Sequence, residues 1–262
     1  MKNPNLNRNG SIYGAWKTEF GDWMIVNGCV HCYLLIGSTS ALLIDTAYGE
    51  GDLRYLIESI TKLPMTVVNT HGHSDHSGGN GFFEQVWMGH GGEASAKGIK
   101  TLKKLPYPNY EIKFIEDGQI FDLGDRQIEA ITICGHHKSS VAFLDKINRS
   151  LYTGDEVESS QVLLFDDVEK TPTIELMKQH LESMQKLKSR ISDFDRLIPT
   201  HNGAPISIEY IDEFITLSTQ YLTGQIQPEE TVAGYGLPTF LWGGDKKLSR
   251  IRFEHASFII RK

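Results

Sequence analysis

The segment THGHSDH, residues 70–76, places three histidines and one aspartate within six positions. It follows the apolar run MTVVN, which predicts a short buried strand, and α/β proteins place many of their sites at strand ends. Imidazole nitrogens and carboxylate oxygens are ligands that zinc and similar divalent ions accept. Gly72 and the following SGGNG allow a tight loop in which these side chains converge. The segment therefore predicts a metal site. The alternative is a solvated surface loop, for which four ionisable residues in six positions would be unusual.

One short segment seldom supplies all the ligands of two metal ions, so further ligands are expected elsewhere. Three candidates each follow an apolar run: His136 after EAITICG, Asp155 after SLYTG, and His201 after RLIPT. Alone, each could be an ordinary turn histidine or capping aspartate. Behind the histidine-rich segment, and in this order, they predict additional ligands at neighbouring strand ends.

Strand and helix patterns alternate along the rest of the chain, which predicts one α/β domain. Apolar runs predict strands in 23–37, 41–46, 65–70, 85–89, 113–133, 141–145, 150–155 and 196–200. Helical periodicity predicts helices over 50–62, 92–104, 173–189 and 207–222. Cys29 and Cys32 fall within the first apolar run, where residues three apart point to opposite faces. This predicts core packing for the two cysteines and no shared metal.

Composition excludes several classes of partner. The 262 residues carry 26 Lys and Arg against 33 Asp and Glu, a net charge of −7, which disfavours nucleic acid and anionic membranes. The polar first residues, MKNPNLNRNGSIYG, do not resemble a signal peptide, and no apolar run approaches 18 residues. Three cysteines cannot build a disulfide framework. We expect a cytoplasmic protein that acts on a small molecule.

Five ordered motifs between residues 45 and 203 resemble those of metallo-beta-lactamase-fold hydrolases. They are LLIDTAYG, THGHSDHSGGN, CGHHKSS, YTGDEV and PTHNG. The resemblance implies an αββα sandwich of two mixed sheets flanked by helices, with metal ions at one edge of the sheets. It implies a single domain over 1–262, and we expect a substrate-pocket or interface extension from about residue 204.

The resemblance also implies a role for each motif residue. The first metal would be held by His71, His73 and His136, and the second by Asp75, His76 and His201, with Asp155 bridging both. Asp45 would steady the ligand loop without itself binding metal. Diiron flavoprotein relatives place a glutamate at position 73, so the histidine present here favours two zinc ions, with manganese or iron as alternatives.

These ligands predict a hydrolase in which two cations activate a shared water as a bridging hydroxide. Asp75 would be the catalytic residue that orients this nucleophile and passes its proton to the leaving group. A small ester, lactone or thioester is the expected substrate. A phosphodiester, a beta-lactam, or a non-hydrolytic redox role on the same fold are the alternatives.

Substrate contacts are less well specified by the sequence. The third motif often reads G-H-T-x-G-S in the family, and here His137 occupies the Thr position, where it could contact substrate or pack. Tyr235 and Trp242, in the aromatic segment VAGYGLPTFLWGGD, could line a substrate pocket over the metals. The same segment could dock against a second copy of the chain in a homodimer.

Overall fold

A seven-stranded mixed sheet is formed by the first part of the chain. The structure is a computed structural model and describes residues 13–165, 169–230 and 248–261. Strand order in this first sheet follows the sequence: β1 (Tyr13–Lys17), β2 (Trp23–Asn27), β3 (Val30–Ile36), β4 (Ala41–Ile44), β5 (Met65–Val68), β6 (Gln85–Met88) and β7 (Glu111–Phe114). The first four strands are antiparallel neighbours, and β4 to β7 run parallel.

A second mixed sheet of five strands faces the first. Its spatial order is β13 (Arg196–Pro199), β11 (Ser150–Gly154), β10 (Val141–Asp145), β9 (Gln127–Thr132) and β8 (Ile120–Asp122). Only the pairing of β11 with β13 is parallel. Parallel neighbours end at the same edge of a sheet, so the residues after β11 and β13 lie side by side.

Alternating side chains place both sheets in the middle of the molecule. In β3, Tyr33 and Leu35 join the cluster between the sheets, whereas Leu34 packs into the cluster on the helix side of the first sheet. In β10, Phe143 packs between the sheets and Leu144 packs toward the outer helices. Strands buried on both faces explain why these segments read as unbroken apolar runs in the sequence.

Helices cover the two outer faces. They are α1 (Leu53–Ile60), α3 (Glu93–Lys97), α4 (Thr173–Lys188) and α5 (Glu209–Leu222), whereas the single-turn helix α2 (Ser74–Ser77) contains Asp75 and His76. Leu53, Leu56 and Ile57 of α1 pack on the first sheet, and α4 and α5 pack over the second. The layers are therefore helix, sheet, sheet, helix, which confirms the predicted αββα sandwich.

Three details differ from the prediction. The run over 23–37 is a hairpin rather than one strand, because Gly28 has φ 62° and turns the chain between β2 and β3. Cys29 lies exposed in that turn, so only Cys32 has the predicted core position. The predicted helix over 92–104 ends at Gly98 and continues as a 3₁₀ turn over Lys100–Lys104.

A third sheet was also not expected from the sequence. It contains β12 (Val162–Leu164), β16 (Ala256–Arg261), β15 (Leu248–Phe253) and β14 (Glu229–Glu230), in that order. Ile251 and Phe258 of this sheet pack into the same cluster as α4 and α5. Within the described ranges, no helix combines the length and apolar character needed to cross a bilayer.

Candidate metal centre

The predicted ligands meet at one edge of the sandwich because each follows the carboxyl end of a strand. Residues 70–76 follow β5, His136 follows β9, Asp155 follows β11 and His201 follows β13. Gly154 has φ 58°, and a Cβ there would approach the Cβ of Thr70 to 2.8 Å, so a glycine suits this close approach. The structure thus brings together all seven residues that the sequence suggested as ligands.

Three histidines form one half of the site. The Nδ1 atom of His73 lies 3.0 Å from Nε2 of His71 and 3.1 Å from Nε2 of His136. Ligands around a tetrahedral zinc with Zn–N bonds of about 2.0–2.1 Å are separated by roughly 3.3 Å. The three nitrogens are therefore spaced closely enough to hold one ion.

Asp75, His76 and His201 form the other half. The Oδ2 atom of Asp75 lies 3.6 Å from Nε2 of His76 and 3.4 Å from Nε2 of His201. The Nε2 atom of His76 is buried and has no hydrogen-bond partner among the described residues. A buried polar atom normally finds a partner, so this orphaned nitrogen fits an ion between these three side chains.

Asp155 lies between the two halves. Its Oδ2 atom is 3.3 Å from Nε2 of His76, 3.6 Å from Nε2 of His201 and of His136, and 3.9 Å from Nε2 of His71. Its Oδ1 atom accepts a hydrogen bond of 2.5 Å from the Thr200 hydroxyl. One carboxylate oxygen thus faces histidines of both halves, which is the geometry required of a bridging ligand.

Hydrogen bonds on the far side of four rings leave Nε2 available for metal. His76 Nδ1 donates to Asp45 at 2.9 Å, His136 Nδ1 to the Leu163 carbonyl at 2.8 Å, and His201 Nδ1 to the Cys29 carbonyl at 2.7 Å. His71 Nδ1 lies 3.2 Å from the Thr70 hydroxyl oxygen, whose hydrogen is donated to Asp45. With the proton on Nδ1, each Nε2 presents a lone pair.

Asp45 lies behind the ligands and belongs to none of the potential metal-binding groups found among the described residues. It is fully buried, and its carboxylate accepts the Thr70 backbone N–H at 2.7 Å in addition to the Thr70 hydroxyl and His76. Its φ of 65° is uncommon for a residue other than glycine, a strain that these hydrogen bonds offset.

The charges of the site are unbalanced without a cation. Burial lowers the pKa of His71 and His73, which keeps both rings neutral and able to bind metal. Burial opposes charge at His76 as well, but Asp155, Asp75 and Asp45 outweigh it and raise its pKa. Burial and the charge of Asp155 also raise the pKa of Glu158 to about 8. The cluster favours positive charge at this position.

Of the three candidate substrate residues, the structure describes His137. The His137 ring lies 4.7 Å from that of His73, and its Nδ1 accepts the Ser139 backbone N–H at 3.1 Å. The Ser139 hydroxyl oxygen lies 2.8 Å from the same nitrogen. Tyr235 and Trp242 lie outside the described residues.

Several residues that shape the site were missed by the sequence analysis. They are Thr70, Glu156, Glu158, Thr200 and Asn202. Glu158 accepts a 2.7 Å hydrogen bond from the Asn202 side chain, and the Ser159 hydroxyl donates to the Asn202 carbonyl at 2.8 Å. These bonds join the loop after Asp155 to the loop after His201. A signal was present in GDEVE, where two glutamates closely follow the fully buried strand β11.

Comparison with known proteins identifies the family. The family model of the metallo-beta-lactamase superfamily matches residues 28–212, which include every candidate ligand. The chain belongs to this superfamily. Solved members share its fold: the metallo-beta-lactamase from Pontibacter korlensis superimposes with a TM-score of 0.60 over 79% of this chain and 99% of that protein, at 20% identity.

Curated relatives of this superfamily member carry hydrolase names. Human acyl-coenzyme A thioesterase MBLAC2 is 29% identical over 165 residues, covering 50% of this chain and 59% of the relative. Hydroxyacylglutathione hydrolase of Prochlorococcus marinus (strain MIT 9301) is 30% identical over 128 residues, covering 48% and 49%. Atrochrysone carboxyl ACP thioesterase of Aspergillus fumigatus is 26% identical over 161 residues, covering 60% and 46%. The chain thus spans about half the length of these relatives.

Proposed function

We propose that this chain is a dinuclear metal-dependent hydrolase of small esters or thioesters, with thioesters as the first choice. The observation that carries the proposal is the position of Asp155 Oδ2, within 3.9 Å of Nε2 atoms from four histidines belonging to both halves of the site. One carboxylate oxygen so placed can hold two ions close together, which is the arrangement of two-metal hydrolytic sites.

The metal-binding roles follow the two halves of the site. The first ion would be held by His71, His73 and His136 and the second by Asp75, His76 and His201, and Asp155 would contribute to both. Imidazole and carboxylate donors suit zinc, and manganese or iron are the alternatives. When bound, two such ions would lower the pKa of a shared water toward neutrality and polarise the substrate carbonyl.

Asp75 is the proposed catalytic residue. Its side chain is 24% exposed, compared with 9% for Asp155 and 0% for His76, so substrate and water can approach the centre past Asp75. Burial favours its protonation, but His76 and His201 outweigh burial and hold the Asp75 pKa below its ordinary value. The ionised carboxylate can orient the attacking water, accept its proton and deliver that proton to the leaving group.

The chemistry of the relatives favours a thioester. Two of the three relatives described above are named thioesterases, and the third is named for a hydroxyacyl group on glutathione. In this chain, His137 lies next to His136, with its ring 4.7 Å from that of His73, and we retain it as a candidate substrate contact. Tyr235 and Trp242 are retained as candidate pocket residues.

The test is hydrolysis by zinc- or manganese-loaded protein of a small panel of substrates. The panel contains an acyl thioester, an acyl lactone, an aryl ester, an aryl phosphodiester and a beta-lactam. We expect metal-dependent turnover of the thioester that falls at least about 100-fold in His73→Ala, which loses one ligand of the first ion. His90→Ala is the matched control, because His90 is an exposed histidine that contacts Glu116.

The other outcomes distinguish the alternatives. If the protein hydrolyses only the phosphodiester or only the beta-lactam, that compound class would replace esters and thioesters as the proposed substrate. If the protein binds two ions but hydrolyses no substrate of the panel, the hydrolase proposal is contradicted. A measurement of oxygen consumption would then test the redox alternative.

A further inference from the structure

Glu156 is a buried carboxylate that belongs to none of the potential metal-binding groups found among the described residues. It follows Asp155 directly and has no solvent exposure. Its two carboxylate oxygens accept the backbone N–H of His136 at 3.0 and 3.1 Å, and one of them also accepts the backbone N–H of His137 at 3.3 Å. Among the described residues, it forms no ion pair with lysine or arginine. A buried carboxylate is costly, and these amide hydrogens supply its compensation.

The backbone of Glu156 is fixed from the opposite side by helix α4. The Nε2–H of His180 donates to the Glu156 carbonyl at 2.8 Å. The His180 ring is fully buried, with ring centroids 5.3 Å from Phe214 and 4.8 Å from Phe258. Gly135 lies against the same residue, since a Cβ there would approach the His180 Cβ to 2.5 Å. Helix α4, the loop before His136 and the loop after Asp155 are therefore joined.

We propose that Glu156 is a positioning residue that sets His136 relative to Asp155, and so aligns the first metal's ligands with the bridging carboxylate. The peptide bond connects Glu156 to Asp155, and the carboxylate connects it to the backbone of His136. The His136 Nε2 to Asp155 Oδ2 distance of 3.6 Å depends on this connection. The inference rests on the metal centre proposed above, but it does not depend on which substrate is hydrolysed.

The test is metal binding by the whole protein carrying Glu156→Gln. The amide keeps the shape of the side chain, but its NH₂ group would face backbone N–H donors, so one acceptor is lost and replaced by a repulsive contact. We expect the fold to be retained and the affinity for the first ion, measured with zinc against a chelator, to fall about 10- to 100-fold. The visible spectrum of the cobalt(II)-loaded variant should also differ from that of the wild type, because the ligand geometry changes.

Glu129→Gln is the matched control. Glu129 lies on β9, and its carboxylate bonds to Arg190 and Lys146 rather than to a metal-binding loop. This variant should bind zinc and cobalt as the wild type does, which separates a local effect on the site from the general loss of a carboxylate.

Wild-type zinc affinity together with a wild-type cobalt spectrum in Glu156→Gln would overturn the assignment. If that variant does not fold, His180→Phe retains a ring between the two phenylalanines and removes only the hydrogen bond to Glu156. Unchanged affinity and spectrum in His180→Phe would then overturn it. A wild type that binds no metal would overturn both proposals, whereas a wild type that binds two ions without hydrolysing the panel would contradict only the proposed function.

Discussion

Two clusters of buried charge lie at opposite ends of the second sheet. The metal-ligand cluster follows the carboxyl ends of β9 and β11, whereas Arg126 precedes β9 and Asp145 ends the antiparallel strand β10. Arg126 donates to Asp22 at 2.7 and 3.2 Å and also bonds to Asp145. The Tyr152 hydroxyl donates to Asp22. This second group, the Arg126 cluster, links the turn before β2 in the first sheet to the second sheet.

The difference between the clusters lies in the source of positive charge. In the Arg126 cluster, one guanidinium contacts both aspartates, so the chain itself supplies the compensating cation. In the metal-ligand cluster, Asp45, Asp75 and Asp155 contact only histidines, hydroxyls and backbone groups within the described part of the chain. Three carboxylates grouped around histidine nitrogens, with no lysine or arginine beside them in the described residues, fit a place where an external cation would bind.

Removing Asp155, the proposed bridging carboxylate, should affect activity most. In Asp155→Ala, we expect kcat/KM to fall about 10³-fold or more, because a metal ion contributes several kcal/mol to transition-state stabilisation. Metal addition should no longer raise the Tm as it does in the wild type. Hydrolysis assays and thermal unfolding with and without zinc measure both effects. Two bound ions and wild-type turnover would exclude Asp155 from the site.

Removing the internal cation should affect stability instead. Arg126→Met leaves Asp22 and Asp145 buried without a cation, although Tyr152 and Asn148 still donate hydrogen bonds to them. We expect a loss of about 3–5 kcal/mol in the free energy of unfolding. Urea denaturation of the metal-free protein measures this loss. The increase in Tm on adding zinc should persist, since the metal ligands are unchanged.

A triple variant provides the control for this result. Replacing Asp22 and Asp145 by asparagine in the Arg126→Met background removes the unpaired charges and should recover part of the lost stability. An unchanged urea midpoint in the single variant would show that the Arg126 cluster contributes nothing to folding.

A more accessible ion pair, between Glu129 and Arg190, should contribute the least to stability. Two hydrogen bonds from Arg190, each 2.9 Å, lower the pKa of Glu129 to about 2, and its side chain is 17% exposed. A lowered carboxyl pKa stabilises the fold above the unfolded value of about 4.3, and this contribution is lost as the pH falls toward 2. Glu129→Gln should therefore cost about 1–2 kcal/mol above pH 5 and almost nothing near pH 2. A pH-independent difference in urea denaturation would contradict this assignment.

The sequence predicted the candidate ligands better than it predicted the elements around them. The candidate ligands could be predicted because each follows an apolar strand, and because the chemistry of imidazole and carboxylate groups limits what such a set can bind. The hairpin at Gly28 and the helix end at Gly98 were missed, because apolar and helical periodicity continue across both positions. The third sheet was missed because its β12 and β16 are separated by about 90 residues and pair only in the folded chain.

The sequence alone determined the α/β class, which depends on local periodicity, and the family resemblance, which depends on motif order. The resemblance then implied the αββα sandwich and the roles of the candidate ligands. Only the tertiary structure revealed that Asp155 faces both halves of the site, that Glu156 holds the His136 backbone, and that Arg126 joins Asp22 to Asp145. Each of these contacts connects residues 19 to 104 positions apart, or depends on the direction of a side chain. Local sequence patterns do not encode these contacts, because the contacts form only when packing brings separate strands together.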